Sequence, residues 1–135
     1  MASTIDSRVL FPISLGPKGA ATWSVVQNGA AYSQAPFDME IDQVVLGLTM
    51  IGKNSAGSGN FELSVAQEGT AMWAADTLQI AYDSVHPYVT IPRSSLTVKQ
   101  LKAGNELRLD VLEVFAGAAT VYPANAVVTF VGVTY

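Results

Sequence analysis

The stretch Phe37-Asp38-Met39-Glu40-Ile41-Asp42-Gln43-Val44-Val45-Leu46-Gly47-Leu48-Thr49-Met50 alternates in its first half. Phe37, Met39 and Ile41 fall on one parity and Asp38, Glu40 and Asp42 on the other. That period of two marks a β-strand with one buried face. In the second half the apolar set moves to even positions, Leu46, Leu48 and Met50. Both sets reach one core only if a residue is inserted between them, which predicts a bulge or tight turn between Asp42 and Val45.

The same period recurs in both directions from this stretch, bounded by Gly, Pro, Asn and Ser, and no segment sustains helical spacing over three turns. A strand is expected at Arg8 to Ser14, closed by Leu15-Gly16-Pro17, and another at Ala21 to Gln27. Asn28-Gly29 offers the positive φ angles of a two-residue hairpin turn, followed by a short return strand through Ala31 and Tyr32. Gly52 to Asn60 has the composition of a flexible loop, after which Phe61, Leu63 and Val65 resume a strand that stops at Glu68-Gly69. Spacing is mixed from Thr70 to Ser95, where a short helix near Asp76 to Asp83 is compatible with the pattern. Leu96 to Leu101 follows, then a Lys102-Ala103-Gly104-Asn105 turn and an alternating run of Leu107, Leu109 and Val111. Pro123-Ala124-Asn125 introduces the last strand, Ala126 to Tyr135. About eight strands predict an all-β fold, a two-sheet antiparallel β-sandwich of jelly-roll type, as a single domain over residues 1–135 with a flexible N-terminal segment at 1–7. An immunoglobulin-like sandwich is the competitor, and the sequence lacks its Cys…Trp…Cys spacing.

Half of the residues, 50%, are hydrophobic, yet only 13% are charged, against roughly 25% in an ordinary soluble domain. A surface so poor in charge is expected to be covered in part by other subunits. The formal net charge of −4 repels phosphate backbones and argues against nucleic acid as a ligand. With no cysteine, disulfides and thiolate metal sites are excluded. The N-terminus lacks the basic and apolar regions of a secretory signal, so synthesis in the cytoplasm without a signal peptide is expected. Of two uncharged tracts, Gly19 to Phe37 and Val114 to Tyr135, the second approaches a membrane span in length. Gly117, Pro123, Asn125 and Gly132 interrupt the second, and its β-branched residues suit a buried strand, so no membrane contact is expected.

Residues able to carry chemistry are few. Asp38, Glu40 and Asp42 share a strand face that would present hard oxygens to calcium, but no loop nearby supplies carbonyl ligands, and a solvated strand face accounts for them. No metal is therefore assigned. His86 is the single histidine. Asp83, Ser84 and His86 lie too close in sequence to form a nucleophile, base and orienting acid, which are normally brought together from separate elements, so no catalysis is expected. Lys53 to Gly59 lacks the spacing of a phosphate cradle, and no cofactor is implied. Trp73, Tyr82 and Tyr88, with Trp23, would form a stacking platform for a glycan if exposed, or core if buried. The closing strand is the sharpest feature. Val127, Val131, Val133 and Tyr135 lie on one face, Val128 and Phe130 on the other, and one set needs a cover beyond the sandwich core, from a neighbouring element or another subunit.

Leu101-Lys102-Ala103-Gly104-Asn105-Glu106-Leu107-Arg108-Leu109-Asp110-Val111, then Tyr122-Pro123-Ala124-Asn125-Ala126-Val127-Val128-Thr129-Phe130, resembles small jelly-roll accessory proteins of tailed bacteriophage virions. There an Ala-Gly turn leads into an alternating strand and a Pro-Ala step into the closing one. Phe37 to Val44 is similar to the strand before their first long loop. The resemblance implies a capsid decoration or cement protein, commonly a homotrimer, that binds the major capsid protein on the virion surface. The alternative expectation is a receptor- or glycan-binding module of a phage tail or head fibre.

Overall fold

The computed structural model describes residues 8–15, 23–50, 53–117 and 119–135. Among the described residues there are ten strands: β1 (Arg8–Ser14), β2 (Gln27–Gln34), β3 (Met39–Thr49), β4 (Asn60–Gln67), β5 (Thr70–Ala71), β6 (Gln79–Ala81), β7 (Tyr88–Pro92), β8 (Gln100–Leu101), β9 (Glu106–Glu113) and β10 (Asn125–Thr134). They form two antiparallel sheets, one ordered β1-β10-β3-β7 and the other β2-β9-β4 with β5 and β6 both pairing on β4. Successive long strands alternate between the sheets. With the two-residue β5 and β8 set aside, the order 1-10-3-7 over 2-9-4-6 is that of an eight-stranded jelly roll.

Alternation places one parity of each strand between the sheets. Phe11, Phe130, Val44 and Ile91 form one cross-strand row, and Ile13, Val128, Leu46 and Val89 the next. From the facing sheet come Phe61, Leu63, Val65, Leu107, Leu109 and Val111, each 0% exposed. Phe130 stands between Phe11 and Trp73, each ring centroid 6.4 Å from its own. The parity change in β3 is resolved by a bulge: Gln43 pairs with Val131 and Ile41 with Gly132, which leaves Asp42 as the inserted residue. A Cβ on Gly132 would lie 1.9 Å from the Glu40 carbonyl oxygen, so only glycine fits opposite the bulge.

Three local expectations need correction. Asn28-Gly29 is not a hairpin turn, because both residues lie within β2, where the register breaks between Gln27 and Ala31. Gly29 does take positive φ, +67°, but its N–H points at the buried Asp110 carboxylate, 2.7 Å away. Of the strand expected at Ala21 to Gln27, residues 21–22 lie outside the described ones, and Trp23 to Val26 are not in a strand. No helix forms near Asp76 to Asp83. Asp76 has φ +64°, and Leu78, Ile80 and Tyr82 bury on alternate positions around β6.

Candidate functional site: the outer face of the first sheet

Cross-strand partners share a sheet face, so the register reads the outward side of β1-β10-β3-β7 directly. Its rows are Ser14, Val127, Gly47 and Tyr88; Pro12, Thr129, Val45 and Thr90; and Leu10, Val131, Gln43 and Pro92. Not one of these positions is charged. A fourth row, Arg8, Val133 and Glu40, closes one end with charge. Leu10 is 66% exposed and Tyr88 55%, whereas Val131, flanked by both neighbouring strands, is 8% exposed.

At the charged end each group has a partner. Arg8 reaches the Asp42 carboxylate at 3.9 Å. Glu40 accepts from the Gln100 amide at 2.7 Å and from the Arg93 guanidinium, and these two bonds hold its carboxyl below the usual range. Asp38 accepts the Ala103 N–H at 2.9 Å. The Tyr135 hydroxyl donates to Gln100 Oε1 at 3.2 Å, and its ring is 59% exposed. Asp38, Glu40 and Asp42 thus each have their own partner on a solvated edge.

Four residues singled out in the closing strand, Val127, Val131, Val133 and Tyr135, accordingly sit at this outward face or its margin, with Val128 and Phe130 in the core. The three aromatic residues do not assemble into a platform. Trp73 and Tyr82 are each 2% exposed, Trp73 packed against Phe130 of the facing sheet and Tyr82 held under the loops that carry Asn54 and Phe115, and Tyr88 alone stays on the surface. Trp23 is also buried. The Trp73 indole N–H donates to the Leu63 carbonyl at 3.2 Å, and Tyr82 packs edge-on to Phe115 at 5.0 Å. Near Tyr88, the His86 ring lies 5.3 Å from the tyrosine ring, and the Ser84 hydroxyl bonds the His86 main chain. A cleft of about 360 Å³ opens beside this loop, lined by Leu48, Met50, Lys53, Ile80 and Pro87 among others.

The opposite outer face is chemically different. There Tyr32, Arg108 and Ala66 form one row, Asp110 and Ser64 another, and Glu113, Glu62 and Gln79 a third. Arg108 grips Asp110 through Nε at 2.9 Å and Nη2 at 3.0 Å. Carboxylate oxygens of Glu62, Asp76 and Glu113 lie within 4.8 Å of one another. Glu62 is only 4% exposed, and burial, aided by the two neighbouring carboxylates, raises its carboxyl above the usual range. Sequence reasoning missed this trio because its members come from β4, a turn and β9. The outward position of Glu62, between Phe61 and Leu63, was the one local sign of it.

No family model, curated protein or solved structure matches the chain.

Proposed function

We propose that this chain is a non-enzymatic structural protein of a tailed-phage virion. It decorates the assembled capsid and stabilises it, docking through the outer face of its first sheet. The observation that carries this reading is the run of three adjacent rows without a charge, on a face that one sandwich core does not use. Such a face loses little on desolvation and gains from apolar contact, whereas the outward carboxylates of Glu62 and Asp110 on the opposite sheet are already buried within the chain. The jelly-roll strand order and the resemblance around Leu101 to Val111 and Tyr122 to Phe130 support the virion assignment. Stabilisation follows from mass action. A protein that binds only the closed shell favours that shell by its binding free energy, multiplied over many copies.

Co-sedimentation with purified capsids of the encoding phage tests the proposal. Wild-type protein pellets with capsids, and Leu10→Asp, which places a carboxylate on the face, stays in the supernatant. Wild-type protein that remains in the supernatant over a wide concentration range would remove the reading. A glycan-binding module is the weaker reading, since Tyr88 alone of its three aromatic residues is exposed.

A further inference from the structure

We infer that, before the capsid is met, this face is covered by a second copy of the chain, packed face to face across a two-fold axis that runs along β10, and that docking on the capsid displaces this copy. The inference rests on the docking surface assigned above and names its partner. β10 lies between β1 and β3. Rotation about β10 therefore lays β1 of one copy over β3 of the other. Val127, Thr129, Val131 and Val133 meet their own counterparts along the axis, and no like charges are brought together there.

Charge at the end of the face fits the same operation. Arg8 sits on β1, and Glu40 and Asp42 sit on β3, on either side of Val133. After the rotation, Arg8 of each copy faces the Glu40 and Asp42 carboxylates of the other, giving two reciprocal clusters from one set of residues. A partner recognised by charge would need a charged face opposite it. The three neutral rows instead match a flat, neutral β surface, and the chain itself provides one. Away from this face, two chains of net charge −4 repel each other.

Size sets the strength of the association. Four strands ~4.8 Å apart and seven residues at ~3.3 Å give a footprint of roughly 450 Å² in projection. That is little more than half of the ~800 Å² per partner of a standard stable interface, so the dimer is expected to be weak and concentration-dependent. Stacked sheets would sit about 10 Å apart with the two β10 strands aligned along the axis, inside the 30° range of sheet-on-sheet packing.

Sedimentation velocity over a concentration series tests this directly. The wild-type chain, 14.2 kDa, approaches twice its monomer mass as its concentration rises. Leu10→Asp, an exposed change on an edge strand, yields a monomer with unchanged circular dichroism, whose melting temperature, unlike that of wild type, does not rise with protein concentration. Arg8→Glu weakens association about tenfold or more, and combining it with Asp42→Arg restores it. A wild-type monomer, a wild-type trimer, or a Leu10→Asp dimer overturns the inference. A wild-type monomer that still pellets with capsids overturns it while leaving the proposed function standing. A dimer that ignores capsids supports it and removes the capsid reading.

Discussion

The two sheets share one core and differ in what they turn outward. The first presents Leu10, Pro12, Val45, Val127 and Val131, whereas the second presents Arg108, Asp110, Glu62 and Glu113. Their inner faces are alike in chemistry, built from Val, Leu, Ile and Phe. Folding alone does not require the outer faces to differ, since an antiparallel sheet with one solvated side ordinarily alternates apolar and polar residues. The asymmetry is the basis of the docking proposal, and on the second sheet the Glu62 and Asp110 carboxylates are already covered by the chain itself.

The largest effect expected separates inside from outside on a single strand. Phe130→Ala empties a site between Phe11 and Trp73 and costs about 3–5 kcal/mol in chemical denaturation. Val127→Thr, three residues away and outward, costs under about 1 kcal/mol by the same measurement. Next comes the charged sheet's own internal tie. Asp110→Ala removes the acceptor of the Gly29 N–H and of Arg108, and should cost about 2–3 kcal/mol, with hydrogen exchange rising around Gly29.

Glu62 gives a smaller effect of opposite sign. Its carboxyl titrates above the ordinary range, so the folded state favours the protonated form more than the unfolded chain does. The stability it contributes is fully present below the unfolded pKa and is lost as pH rises through the folded one. Glu62→Gln keeps an acceptor for the Asp76 N–H and should melt a few degrees higher than wild type at neutral pH. That gap closes as the solution is acidified, and a gap that widens instead would contradict the burial argument. Smallest of all is Tyr32→Ala on the charged face, where the ring is 63% exposed. It shifts stability by no more than about 0.5 kcal/mol and leaves association unchanged, and a loss of association would place the docking surface on the wrong sheet.

Much of the fold was legible because strand parity is a local property. β1 falls at the expected Arg8 to Ser14, the bulge falls at Asp42, and the inward and outward residues of β10 separate as the alternation requires. Positive φ at Gly29 was also readable, but whether such a residue turns a hairpin or kinks a strand depends on the Asp110 carboxylate 81 positions away. The region after Thr70 resisted reading for a similar reason. Its strands are two or three residues long and are held by pairing with β4 rather than by their own pattern. For the docking face, the sequence reveals the β10 residues alone. Leu10, Val45 and Tyr88 join them through register, which no single segment encodes, and burial of Trp73 and Tyr82 likewise depends on distant residues, Phe130 for the one and Asn54 and Phe115 for the other.

The extra residue at Asp42 sets a rule for how this chain tolerates changes in length. With Asp42 present, Met39 and Ile41 before it and Val44, Leu46 and Leu48 after it are all buried, although they differ in parity. Deleting that one exposed-side residue would leave no side-chain gap, yet it would turn one half of β3 inside out and set Glu40 against the core. Gly132 on the facing strand has room for no other residue while the bulge is there. Insertion and glycine therefore form a matched pair, and a chain that lost one would be expected to lose the constraint on the other.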